Sequence, residues 1–291
     1  MSYKALKEII KDVKTLGKSF PEVMIEEDCD ERQVERADSF GRMREMYRAM
    51  KHADETYDPA LKSASGLVGG DGALLEKHIA GGDSVCGGFL GAVMVKALRM
   101  GESNACMKRI VAAPTAGSCG VVPAVLLTME EQMGYTEDQM TEALFVAAGI
   151  GEVIAARAFL AGAAGGCQAE IGSASAMAAG AAAYLKGADA ETICDAAALA
   201  LKSLLGLACD PVAGLVEVPC VKRNVIGAVN ALTSAEMALS GIRSVIPPDE
   251  VIDSMRSIGL AMPAAVRETG EGGLAATPTG VRITKDLMGR H

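Results

Sequence analysis

Apolar positions recur at helical spacing through most of this chain. Leu6, Ile9, Ile10, Val13 and Leu16 share one face and Gly17 ends the run, which predicts an amphipathic helix. Phe40, Met43, Met46, Tyr47 and Met50 form a second stripe, read as core or interface packing. Asp58 to Gly72 is dense in Gly and Ser and reads as irregular backbone, with Asp71 or Asp83 placed to cap a following helix. Gly87 to Met100 is helix-like, and Val111 to Pro123 is a second irregular segment. Thr136 and Gln139 have the spacing of a capping box, and Ala143 to Leu185 is a run of Ala, Gly and small apolar residues suited to tight helix packing. Asp189 opens a helix that reaches about Leu205, and Cys209 to Cys220 is a Pro/Gly loop. Val221 to Ser240 is helical, and Pro247-Pro248-Asp249 starts a helix that ends at Gly259. Few segments alternate with period two, so the pattern predicts an all-α fold with irregular Gly/Pro loops and at most a minor sheet.

Composition narrows the class. With 291 residues, 50% hydrophobic and 22% charged, the chain is long and apolar enough to bury a core and is not disordered. A net charge of −9 with no long Lys/Arg run argues against a nucleic-acid surface. Aromatics are only 3% while Gly numbers 33, so the core must be built from small side chains. The charged N-terminus shows no secretory signal, and the longest uncharged run, Ile110 to Met129, is interrupted by Pro114, Gly117, Gly120 and Pro123. The expectation is a cytoplasmic protein that does not span a membrane. No repeat or Ser/Pro-rich linker divides it, so residues 1–291 are read as one unit: an amphipathic part (1–57), a site-bearing part (58–280) and a tail (281–291).

Eight cysteines without a CxxC pair do not read as a disulfide framework, a zinc ribbon or a ferredoxin run. Cys29, Cys106 and Cys194 lie in charged or helical contexts and read as incidental thiols. Cys167, Cys209 and Cys220 each lie beside Gly or Pro at an apparent helix end, where backbone can turn and present sulfur and free N–H groups to one centre. On spacing alone a metal site and three unrelated buried thiols both remain open.

The stretches SASGLVGGDG, RIVAAPTAGSCGVVPAVLL, GGCQAEIGSASAMAAG, LLGLACDPVAGLVEVPCVKRN and RETGEGGLAATPTG resemble the α chain of the iron–sulfur L-serine dehydratases (L-serine ammonia-lyases) of the type with separate α and β chains. The resemblance runs from about residue 2 to Gly280. It implies a carbon–nitrogen lyase that converts L-serine to pyruvate and ammonia, and a [4Fe-4S] cluster held by Cys167, Cys209 and Cys220 with one iron free of protein cysteine. By the same resemblance Cys119 lines the site, and Ser63, Ser65 and Gly66 with Thr115, Ala116, Gly117 and Ser118 hold the substrate carboxylate; Cys86 lies in no matching motif and reads as structural. Arg223 would pair with that carboxylate or with a helix terminus. Of the three histidines, His52, His78 and His291, His78 is the best local candidate for the general base, with Lys62 another and the separate β chain a third source. The implied assembly is an α/β hetero-oligomer. In fused relatives a terminal cysteine can occupy the open iron; VRITKDLMGRH has none, so water, hydroxide or another group is expected there.

Loss of an α-proton and a β-hydroxide are both difficult near neutral pH, and a Lewis-acidic iron would assist both by way of 2-aminoacrylate. The competing readings are an L-cysteine desulfidase of the same superfamily, a pyridoxal-phosphate dehydratase and a non-catalytic iron–sulfur sensor. The second lacks a Lys motif with its phosphate loop and leaves the cysteines idle. The third would more readily close its cluster with four cysteines.

Overall fold

The computed structural model describes residues 3–82 and 84–289, so the proposed cap Asp83 and His291 lie outside the described residues. Among the described residues there are thirteen α-helices and no strand, as the periodicity predicts; the only pairing of β type is an isolated parallel bridge between Cys209 and Arg267. The helices are α1 (Leu6–Leu16), α2 (Phe20–Arg32), α3 (Arg36–Glu55), α4 (Asp71–Ala80), α5 (Gly87–Ala105), α6 (Val121–Met133), α7 (Glu137–Arg157), α8 (Gly162–Gly165), α9 (Ser173–Leu185), α10 (Ala190–Lys202), α11 (Cys220–Leu239), α12 (Pro248–Ala261) and α13 (Pro278–Met288).

Local signals account for most boundaries. Gly17 closes α1 in the left-handed region at φ 65°. Thr136 and Gln139 form the anticipated capping box of α7, and the Asp189 side chain accepts the Thr192 N–H at the start of α10. Helix α2 was not legible from periodicity. Its apolar residues Val23, Met24 and Ile25 are consecutive and buried at the N-terminal half, while its C-terminal half is charged, so no stripe forms. A capping box between Ser19 and Glu22 starts it. In α3, Tyr47 and Met50 are buried as expected, whereas Met46 is exposed.

Several expected boundaries move. Asp71 does not cap α4: Gly70 is the cap residue, and the Asp71 carboxylate instead meets Lys222 at 2.8 Å. Helix α6 begins at Val121, inside the segment read as irregular; α10 stops at Lys202. Helix α12 runs through Gly259, because that glycine serves close packing: a Cβ there would lie 2.9 Å from Gly165 Cα. The tail is helical as α13, capped by Thr277 and begun by Pro278.

Helix α9, made of Ala, Ser and Gly with Met177, is buried along nearly its whole length and packs against α6, α7, α10 and α11. Small residues bring these axes together: a methyl on Gly180 would overlap Ile150 Cδ1, and one on Gly227 would lie 2.9 Å from both Ile171 and Val121. Larger side chains such as Leu126, Met129, Met140 and Ile150 fill the space between these helices, each contributing about 1.5–3 kcal/mol on burial. The N-terminal helices wrap this bundle. Leu6 N–H donates to Asp249 Oδ1 at 2.8 Å, Arg48 pairs with Glu137 at 2.7 Å, and buried Lys96 pairs with Asp54 at 2.6 Å. The run Ile110–Met129 is broken by the turn at Ala116–Ser118, and α7 is the described helix long and apolar enough to cross a membrane; 67% of its apolar window is buried inside the bundle.

Candidate active site: three thiols beside two hydroxyl-bearing loops

Three breaks in helical structure build the site. Gly166, at φ 77°, turns the chain between α8 and a π-helical turn over Gln168–Gly172, with Cys167 at its head. Fully buried Gln168 fixes that turn. Its amide donates to Gly165 O at 2.9 Å and Met255 O at 3.1 Å, and its side-chain oxygen accepts Gly206 N–H at 2.9 Å. Cys209 sits on the bridge segment: its N–H donates to Val266 O at 2.9 Å and its carbonyl accepts Glu268 N–H at 2.7 Å. Cys220 is the first residue of α11, where free N–H groups favour negative charge.

The three thiols are buried and lie within one another's electrostatic field. Burial pushes Cys167 up to about 11; the positive charge of the nearby Arg223 guanidinium pulls the other way and Glu170 adds to the rise. Burial, Cys167 and Glu170 together push Cys220 up to about 12, against Arg223. Cys209 is raised further, by burial first and then by Cys167, Glu170, Glu268 and Cys220. Three converging thiols that resist ionisation on their own suit a cationic iron or other soft metal centre, whose charge reverses that preference. A site for three soft ligands is therefore compatible with what these segments bring together.

Polar side chains hold the surroundings. Arg223 donates to Ala208 O at 2.7 Å and to Asp210 Oδ1 at 2.8 Å, so it closes the Cys209 loop from the fourth position of α11. Asp210 Oδ2 in turn accepts Leu274 N–H at 2.8 Å. Thr115 and Ser118 make a small capping box around the turn at Ala116–Ser118, and Thr115 Oγ1 donates to Glu170 Oε1 at 2.7 Å. Gly117 packs on the same carboxylate, since a Cβ there would lie 3.1 Å from Glu170 Oε1. Burial raises the Glu170 carboxyl; the Thr115 hydrogen bond opposes the rise and Glu268 reinforces it.

The other loop is organised by Glu217. Ser63 Oγ donates to Glu217 Oε2 at 2.9 Å, Ser65 Oγ donates to the same oxygen, and Gly66 N–H donates to Ser63 O at 2.9 Å. Glu217 lies three residues before Cys220, which ties this loop to the cysteine segment. Lys62 donates to Gly69 O and so braces its own loop. His78 is exposed on the last turn of α4, roughly 10 Å along the axis from the Asp71 end of that helix. Cys119 is buried with its thiol 3.7 Å from Met100 O, in the contact between α5 and α6. Cys86 is exposed at the start of α5.

Sequence reasoning gave no role to Gln168, Glu170, Asp210, Glu217 or Asn224. The available signal was adjacency: each lies within four residues of Cys167, Cys209 or Cys220.

The family model described as serine dehydratase alpha chain matches residues 15–275. The probable L-serine dehydratase, alpha chain, of Bacillus subtilis is 46% identical over 99% of this chain and 96% of its own length. The probable L-serine dehydratase, alpha chain, of Latilactobacillus sakei is 55% identical over 67% of this chain and 93% of its own. L-serine dehydratase 2 of Escherichia coli is 44% identical over 62% of this chain and 40% of its own length.

Proposed function

The chain belongs to the serine dehydratase alpha chain family, and from that premise we propose that it is the catalytic α chain of a cytoplasmic L-serine dehydratase, acting with a separate β chain to convert L-serine to pyruvate and ammonia. The observation that carries this reading is the burial of Cys167, Cys209 and Cys220 within electrostatic reach of Glu170, which Thr115 ties to the Thr115–Ser118 turn at 2.7 Å.

In this reading Cys167, Cys209 and Cys220 are the protein ligands of a [4Fe-4S] cluster with one iron free of cysteine. When bound, that cluster supplies a Lewis acid for the substrate's β-hydroxyl. Arg223 holds the Cys209 loop closed through Asp210 and offers positive charge to Cys167. The Ser63–Gly66 and Thr115–Ser118 segments frame the substrate: Ser63 and Ser65 give their hydroxyl protons to Glu217 and Thr115 gives its to Glu170, which fixes the loops and leaves their backbone N–H groups to meet the substrate carboxylate. Removal of the α-proton and loss of water give 2-aminoacrylate, which tautomerises and is hydrolysed to pyruvate and ammonia. The base for the α-proton comes from the β chain: His78 is exposed and two helical turns from the Ser63–Gly72 loop. The longer Escherichia coli relative extends well beyond the part this chain matches, in keeping with a second polypeptide supplying the remainder.

The test is anaerobic co-purification with the candidate β chain, iron and acid-labile sulfide analysis, and a pyruvate assay on L-serine. About one cluster per α chain and pyruvate only with both chains supports the reading. Full turnover in an iron-free preparation overturns the cluster, turnover by the α chain alone returns the base to it, and no turnover of serine overturns the activity.

A further inference from the structure

Charge is unevenly matched around the thiols. Arg223, the guanidinium at the site, is already engaged with Asp210 and Cys167. Glu170 has no such partner. Its Oε1 takes the Thr115 hydroxyl at 2.7 Å, no described residue donates to Oε2, and no described Lys, Arg or His forms an ion pair with it. The charged side chain that acts on it is another carboxylate, Glu268, carried by the segment bridged to Cys209. Glu268 is exposed and screened by water, whereas Glu170 is half-buried, and a half-buried carboxylate with a like charge nearby is unfavourable unless a proton or another cation joins it.

Placement makes that cation part of the chemistry. Glu170 is the carboxylate that acts on all three thiols. A Cβ on Gly162 would lie 2.9 Å from Glu170 Oε2 and 2.7 Å from Cys209 Sγ, so the free oxygen and the sulfur pack around one glycine. The other oxygen is turned to the Thr115–Ser118 loop. A small molecule seated between that loop and the thiols would meet Glu170 at its side. We propose that Glu170 recognises the α-ammonium group of the substrate, with Thr115 setting the orientation of the carboxylate, so that the site selects α-amino acids over hydroxy acids of the same size. This inference rests on the serine dehydratase reading for the identity of the substrate. A charge-assisted contact to a desolvated ammonium sets both affinity and the rotation of the substrate about its α-carbon.

Glu170→Gln keeps the shape and an oxygen that can accept from Thr115, and removes the charge. Calorimetric titration of the anaerobic α/β holoenzyme would compare L-alanine, which keeps the ammonium and lacks the leaving hydroxyl, with 3-hydroxypropionate, which lacks the ammonium. In Glu170→Gln the expected result is an L-alanine affinity lower by about tenfold to a hundredfold, with 3-hydroxypropionate changed less than about twofold and iron and sulfide content unchanged. Glu170→Asp, which keeps the charge, recovers part of the L-alanine affinity. Parallel weakening of both ligands, no change in either, or loss of iron from the variant overturns the proposal and makes Glu170 a loop-ordering or cluster-supporting group. Wild-type turnover of L-serine, measured on the same preparation, separates these outcomes from failure of the activity itself: without it the functional reading falls, whereas the ligand comparison still decides what Glu170 recognises.

Discussion

Asn224 donates its side-chain amide to the carbonyl of Gly117 at 2.9 Å, across 107 residues of sequence. The same amide donates to Cys220 O at 3.0 Å, and the side-chain oxygen accepts Gly120 N–H at 2.8 Å. One buried side chain thus locks the Thr115–Ser118 turn and the start of α6 to the first turn of α11, which carries Cys220. Asn224→Ala leaves these buried backbone groups without partners, a cost of about 1–3 kcal/mol in stability. The expected result is a lower midpoint in urea and a raised KM for L-serine; unchanged values for both would mean the turn is held by other contacts.

The cysteines divide by position. Ser at Cys167, Cys209 or Cys220 is expected to abolish iron and sulfide retention and serine turnover, because in the proposed reading each of these buried thiols is one of three cluster ligands. Ser at Cys29 or at exposed Cys86 is expected to leave both unchanged. Iron analysis of the anaerobically purified variants checks the division, and a cluster retained in Cys209→Ser would remove that residue from the ligand set.

Legibility in the sequence followed the range of the interaction. Caps at Gly17, Thr136 and Asp189 are local, so their helices were readable from neighbouring residues. Helix α2 was not, since its apolar residues are consecutive and only the bundle gives them something to bury against. Gly259 reads as a helix stop until Gly165 is seen packed on it. The cysteine trio stood out by its Gly and Pro neighbours, but its partners Glu170, Glu217 and Asn224 act across more than fifty residues, on Thr115, Ser63 and Gly117. A long-range hydrogen bond leaves no periodicity in a single sequence.

Two glycines should separate stability from chemistry. Gly162→Ala places a methyl 2.7 Å from Cys209 Sγ and 2.9 Å from Glu170 Oε2, so the sulfur and the carboxylate must shift. Gly180→Ala drives its methyl into Ile150 in the centre of the bundle, away from the thiols. The expected outcome for Gly162→Ala is loss of iron binding with little change in the urea midpoint. For Gly180→Ala it is a loss of about 1–3 kcal/mol with iron content preserved in the folded fraction. Equal effects of the two on iron binding would mean that the thiol geometry depends on the whole core rather than on its local backbone.

Glu217 is buried and accepts two hydroxyls on one oxygen, from Ser63 and Ser65. Those hydroxyl protons point at Glu217, so the carboxylate fixes the loop's orientation rather than leaving the serines free to rotate. Removing either end of the contact should therefore loosen the same loop, Glu217→Ala more than Ser65→Ala. Ser65→Ala leaves Glu217 with Ser63; Glu217→Ala leaves both hydroxyls without their acceptor and is expected to cost about 1–3 kcal/mol. In a double-mutant cycle the pair should be less than additive, with a coupling of about 0.5–3 kcal/mol, because the Ser65–Glu217 contact is lost in each single variant and can be lost only once in the double. Serine KM should follow the same pattern: raised in each single variant and raised no further in the double than in Glu217→Ala. Strict additivity in both stability and KM would show that Ser65 meets the substrate independently of Glu217, and the loop would then be a direct ligand of serine rather than a part positioned by the cysteine segment.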